Sequence, residues 1–307
     1  MHRVGPVVAT AAALLTIGAH GSSSPRPVST AAPAANGHPA AVPGITIGSA
    51  NFPESDVLAD IYADALSKAG AKVSTKLDIG TREIYFEELE NGALNVFPEY
   101  NGALLDYLRP KSTASSTGAV TKALEAALPG DLEALQPSPA QDSDSITVTA
   151  AYAAAHHLKT IEDLKPIESQ VTLGAAPQFA TREQGLIGLK ELYGVTVKFK
   201  VLDQSGPLDI AALNDGTIQA ADIFTTDPAV AKYHFVALTD PLHLFPAENV
   251  IPIINKKVAT PTIVKTLNAV SGALTTDDLV QLVGAVVNDH VDAGTVAAEF
   301  VSEEKLG

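Results

Sequence analysis

The chain has 307 residues, enough for one large domain or two smaller lobes, and a hydrophobic share of 46% is ample for real cores. A formal charge of −15 and an isoelectric point near 4.8 exclude the basic footprint of a nucleic-acid binder and polybasic docking on anionic lipid. With no cysteine, disulfides, thiolate nucleophiles, thiolate metal sites and iron–sulfur clusters are all ruled out.

The N-terminus has the layout of a secretory signal peptide over residues 1–20: Arg3, a run of small and apolar residues from Val7 to Ile17, then Gly18 and Ala19. The run is too short to span a bilayer comfortably. Ile17-Gly18-Ala19 before Gly21-Ser22-Ser23-Ser24 is like a bacterial lipoprotein box, but His20 stands where the lipidated cysteine would be. An extracytoplasmic protein is expected, released after Ala19 or separated from a former lipid anchor. Residues 21–44 are rich in Ser, Pro and Ala and read as a flexible linker.

The folded body starts at Ile45 and alternates β with α. Ile45–Gly48 reads as a strand. Pro53 opens a helix whose Val57, Leu58, Ile61, Tyr62, Ala65 and Leu66 form an apolar stripe, closed by Gly70. Val73, Thr75 and Leu77 alternate as a strand. A loop at Gly80-Thr81 leads to a helix over 83–91, stopped by Gly92, and Leu94–Phe97 reads as the next strand.

This unit occurs twice. Leu89–Val96 resembles Leu213–Ala220, Gly70 falls on Gly194, and Gly80-Thr81-Arg82 falls on Gln204-Ser205-Gly206. A βαβαβ block near 45–100 therefore returns near 171–224. Two such blocks imply an α/β protein with two parallel-stranded sheets, and ligands of such sheets bind beyond the carboxyl ends of the strands. Strands at Ile146–Thr149 and Val250–Ile254 read as two crossings, which make a hinge. The expected division is lobe one over 45–147 plus 243–307 and lobe two over 148–242.

Several segments together resemble the substrate-binding proteins of ABC importers for glycine betaine, choline, carnitine and related quaternary amines. They are Ile47-Gly48-Ser49, Asn51-Phe52-Pro53-Glu54-Ser55, Gly80-Thr81-Arg82-Glu83 and Pro98-Glu99-Tyr100-Asn101-Gly102 in the first half. In the second half they are Leu158–Leu164, Phe179-Ala180-Thr181-Arg182 with Gly185–Leu189, and Leu274–Leu279. The likeness runs over roughly 45–305. It implies a type II periplasmic-binding fold, a small-molecule ligand, a permease with its ATPase as partners, no cofactor, and a monomer that is not an enzyme.

A quaternary ammonium has no N–H to donate and is held by aromatic faces and nearby oxygens. Tyr100 follows the first-lobe strand, and Phe224 is its counterpart in the repeat register. Glu99 offers negative charge. Asn51 and Ser55 stand at a strand-to-helix junction, where they either meet a ligand or cap the helix. Thr81 and Arg82 follow a strand; Arg82 either faces ligand or makes a salt bridge within the lobe. Thr225 and Asp227 follow the strand of Phe224, and Asp227 either touches ligand or caps the helix from Pro228. Tyr85 reads as packing. Phe179 and Arg182 come from the family block, Arg182 to bind a ligand carboxylate or bridge the lobes. Some family members cage the cation with several tyrosines; the second-lobe positions here carry Ile210 and Phe224, which leaves room for a larger, aromatic or less charged ligand.

Other classes find less support. The chain contains no G-x-S-x-G, Walker, G-x-G-x-x-G or H-E-x-x-H motif, so a secreted enzyme on the same fold is the weaker alternative. His156-His157 are adjacent, and adjacent residues point apart, so no metal site is expected.

Overall fold

The computed structural model describes residues 44–307; the expected signal peptide at 1–20 and the linker up to residue 43 lie outside them. The first half runs β1 (Ile45–Gly48), α1 (Pro53–Lys68), β2 (Val73–Lys76), α2 (Arg82–Asn91), β3 (Val96–Tyr100), α3 (Asn101–Leu108), α4 (Thr117–Glu125) and β4 (Leu132–Ala134). The chain then crosses to β5 (Ile146–Thr149), α5 (Ala150–His156), β6 (Thr172–Ala175), α6 (Gly188–Tyr193), β7 (Lys198–Val201), α7 (Pro207–Asn214), β8 (Ala220–Asp222), α8 (Pro228–Lys232) and β9 (Phe235–Ala237). It returns as β10 (Val250–Asn255) and ends in α9 (Pro261–Ala273), α10 (Thr276–Val287) and α11 (Ala293–Glu303).

Two five-stranded sheets result, ordered β2-β1-β3-β10-β4 and β7-β6-β8-β5-β9. The orders correspond position by position. In each, three parallel strands come from the βαβαβ repeat, and the fourth, β10 or β5, runs antiparallel and arrives from the other lobe. The crossing chain is thus a full member of the sheet it enters. The first half-sheet packs Ile45, Ile47, Val96, Val250 and Ile254 against the apolar stripe of α1, which also meets α9, α10 and α11. The second buries Ile146, Val148, Leu173 and Ala220 under Leu164, Leu189 and Tyr193.

Glycines stop the helices where the sequence places them: Gly92 and Gly194 cap α2 and α6 at φ of 81° and 63°, a conformation that costs other residues a steric clash. His157 does the same at φ 57° after α5, which gives the His156-His157 pair a place at a helix end. Among the described residues no three His, Asp or Glu side chains converge to hold a metal, and no single helix is long and apolar enough to cross a membrane.

Two boundaries differ from the sequence reading. The strand expected at 94–97 is Val96–Tyr100, so Tyr100 is its last residue. The lobe boundary expected after residue 147 falls inside β5, because β5 pairs along its length with β8 and β9. The crossings themselves lie side by side: Gln141 bridges Asn249 in antiparallel fashion, Asp142 N–H donates to the Glu248 carbonyl at 3.1 Å and Val250 N–H to that of Ala140 at 3.1 Å.

Candidate functional site

The carboxyl ends of β1 and β3 in one lobe face β8 and the loop after β7 in the other, and the crossings floor the space between. The turn after β1 sets the first wall. Gly48 lets it pass close to Leu94 and Phe97, where an added Cβ would lie 2.7 and 2.9 Å away. The Ser55 hydroxyl then accepts the Ala50 N–H at 2.8 Å and fixes the entry into α1. Phe52, not Asn51, is the N-cap residue, and it makes no side-chain cap bond. Its ring is free to lie in the cleft, 6.2 Å from that of Tyr100 and 5.4 Å from that of Phe224, edge-on to the latter. Three aromatic rings, two from one lobe and one from the other, therefore meet.

Below them lies a buried ionic framework. Arg82 Nε and Nη2 donate to the two oxygens of Glu99 at 2.9 Å each, a bidentate pair. Tyr85 donates its hydroxyl to Glu99 at 2.8 Å and stacks on Phe97 at 3.9 Å. Burial alone would pull the Arg82 pKa down, but Glu99 outweighs it and the guanidinium stays charged. Arg182 reaches across the cleft to Glu83 at 2.9 Å. Burial would raise Glu83, yet hydrogen bonds from Thr81 and Arg182 hold its pKa at about 2.

The remaining carboxylates have no cation of their own. Glu54, in the first turn of α1, accepts the Tyr100 hydroxyl at 2.6 Å and, from the other lobe, the Thr226 hydroxyl at 2.6 Å. Burial raises its pKa to about 7, although both hydrogen bonds pull the other way. Asp142, which accepts the Thr226 N–H at 3.0 Å, is pushed up by burial and then by Glu54. Asp144 is raised by burial, and Asp222 by burial and then by Asp144. Glu248 accepts the Ala103 N–H at 2.9 Å and is raised by burial and by Asp144. Asp142, Asp144 and Glu248 all belong to the crossing segments.

Of the residues named from sequence, Ser55, Thr81, Arg82, Tyr100, Arg182 and Phe224 line this inner chamber. Asn51 and Asp227 line a wider outer one; Asp227 also caps α8, accepting the Ala229 N–H at 2.8 Å. Glu99 stands behind Arg82 and Tyr85, which line the chamber in its place. Thr225 holds the first crossing, its hydroxyl accepting the Ser143 N–H at 2.9 Å. Phe179 lies outside both chambers: its turn, Pro177–Ala180, folds so tightly onto Gly185 that a Cβ there would meet the Phe179 carbonyl, and the ring is buried in the core of the second lobe. Tyr85, read as packing, packs and lines the chamber as well. The sequence reading missed Phe52, Glu54, Asp142, Asp144 and Glu248 as cleft groups. Phe52 carried a signal, an aromatic in the β1–α1 turn where ligands of such sheets bind.

Residues 43–303 match the family model described as the substrate binding domain of an ABC-type glycine betaine transport system. The chain belongs to that family. It is 25% identical over 276 residues to the glycine betaine-binding protein YehZ of Escherichia coli strain K12, spanning 85% of this chain and 90% of that one. The carnitine transport binding protein OpuCC of Listeria monocytogenes is 22% identical over 270 residues, 84% of this chain and 86% of its own. The fold matches that of the crystal structure of a glycine betaine/carnitine/choline ABC transporter with a TM-score of 0.70 at 21% identity, covering 85% of this chain and 99% of that one. Apo YehZ from E. coli matches with 0.62 at 23%, covering 86% and 99%. The two-lobed substrate-binding fold of the family is thus the fold of this chain.

Proposed function

We propose that this protein captures a small quaternary ammonium compound between its lobes, outside the cytoplasmic membrane, and delivers it as a monomer to the transmembrane subunits and ATPase of an ABC importer. It binds and releases; it does not turn its ligand over. The apolar run from Val7 to Ile17 and the Ser- and Pro-rich 21–44 support export, with His20 in place of a lipidated cysteine.

The observation that carries the reading is the meeting of Phe52, Tyr100 and Phe224 above carboxylates that lack cations. Rings present negative faces, and Glu54 and Asp142 add charge in a desolvated place, where a cation–π contact is worth about 2 kcal/mol or more. Arg82 and Arg182 are already paired with Glu99 and Glu83. The charge left facing the ligand is negative, so the ammonium end is the end the cleft grips. Relatives named for glycine betaine and carnitine agree with this chemistry.

Calorimetric titration with choline, glycine betaine and carnitine tests it. At least one binds, and Tyr100→Ala weakens that binding roughly ten- to a thousandfold while the fold persists. A folded protein that binds none of them refutes the reading.

A further inference from the structure

The cleft continues past the ring pair. Beyond Phe52 and Phe224 opens a second chamber of about 410 Å³. Phe52, Thr81, Gln204 and Phe224 line both chambers, so the two adjoin with the aromatic pair between them. Both lobes supply apolar wall to the outer chamber, Leu202 and Ile210 on one side and Val283 and Val287 of α10 on the other, set among polar side chains such as Gln178 and Gln204.

Three carboxylates line it, and each already accepts protein hydrogen bonds, Glu54 those of the Tyr100 and Thr226 hydroxyls. Asp203 accepts the N–H groups of Leu208 and Asp209 at 3.0 Å each at the start of α7. Asp227 accepts the Ala229 N–H and, at 3.0 Å, the Ser205 hydroxyl, which itself accepts the Phe224 N–H at 2.9 Å. Neither Lys nor Arg lines the chamber. An anionic tail group would find no counter-ion there, whereas hydrocarbon would exchange water for apolar wall.

We propose that the outer chamber is a second subsite and that the physiological ligand is a quaternary amine bearing an uncharged aliphatic tail. The ammonium sits among Phe52, Tyr100 and Phe224, and the tail lies against Ile210 and Val287. The inference rests on the quaternary-amine reading and narrows it: a ligand that ends at the ammonium leaves the outer chamber to water.

The alkyltrimethylammonium series, from tetramethylammonium to hexyltrimethylammonium, tests this by calorimetry on the full chain. Each added methylene that reaches the chamber tightens binding roughly fourfold. Ile210→Asn and Val287→Ser, on opposite walls, each flatten the series. A flat or falling wild-type series with tetramethylammonium still bound overturns the subsite and leaves the quaternary-amine reading standing. Failure of every member to bind overturns both. A rise that survives both substitutions unchanged overturns the assignment to this chamber.

Discussion

Glu54 shows how little of a cleft can be read from single residues. An acidic side chain in the first turn of a helix is the commonest of placements, favoured by the helix dipole, and nothing local marks it as buried. Its partner Thr226 lies 172 residues away, a distance only the closed fold removes. Tyr100 and Phe224 could be named because the repeat register pairs them; Glu99 and Arg82 could be named singly, but not as one bidentate pair. The consequence for Glu54 is a pH dependence whose sign follows from its pKa of about 7 against an ordinary 4.5, raised by burial. The folded, unliganded protein holds a proton that the unfolded chain gives up, so this contribution to stability is full below pH 4.5 and is lost as pH rises to about 7. A cation favours the ionised form and so displaces the proton. Affinity for a quaternary amine is therefore expected to rise between about pH 5 and about pH 7, by at most about tenfold per unit for one group, and then to level off. Asp142 and Asp227, which also bear on this site, hold their protons higher than usual through burial and extend the rise rather than reverse it. Titrations in two buffers of different ionisation enthalpy should show proton release on binding, reduced in Glu54→Gln. Affinity that falls with rising pH would contradict the assignment.

At the scale of elements, the βα repeat was legible because glycine stops and apolar stripes are local signals that survive in one sequence. The ends of strands were not. Phe97-Pro98-Glu99-Tyr100 reads as a strand breaking off, yet β3 runs through it. Pro98 lies directly opposite Pro252 of β10, and two residues without N–H groups can face each other only at a non-hydrogen-bonded position, where neither removes a ladder bond. On its other side β3 meets β1 only at Val96, so Pro98 displaces no donor there either. The next residues place α3 hard against the returning crossing. A Cβ on Gly102 would lie 2.6 Å from the Ala247 carbonyl oxygen and 2.9 Å from Pro246. Backbone cannot yield as a flexible side chain can, so Gly102→Ala should destabilise by about 1–3 kcal/mol. Gly118 in α4 has open space around its Cβ position, and the same change there should stabilise by about 0.4–1 kcal/mol. Urea unfolding of the pair separates close packing from helix propensity; equal and small effects would show that the α3 contact is slack.

The two lobes and their crossings were legible from the repeat, whereas the chemistry of the crossings was not. Asp142-Ser143-Asp144-Ser145 looks like a solvated loop, and Glu248 like an ordinary rim residue. They become a cleft floor only because the two crossings lie antiparallel and turn their carboxylates to the same side as Glu54. That arrangement makes closure depend on charge. Glu54 reaches Thr226, Arg182 reaches Glu83, and Gln184 reaches Glu248 at 3.3 Å, all between lobes. These contacts favour closure, while carboxylates gathered without a cation oppose it. A bound ammonium removes the opposition, which is the differential affinity that a ligand needs to shift a hinge equilibrium. Removing interlobe contacts should bias the balance the other way. One cysteine introduced into each lobe of a chain that has none allows clean double labelling for energy transfer. In the wild-type background choline should raise transfer. With Thr226→Val and Arg182→Ala together, resting transfer should fall and choline binding should weaken roughly tenfold or more, because the ligand must now supply the closure those contacts gave. A double variant that rests and closes as the wild type does would show that these two contacts do not set the lobe equilibrium.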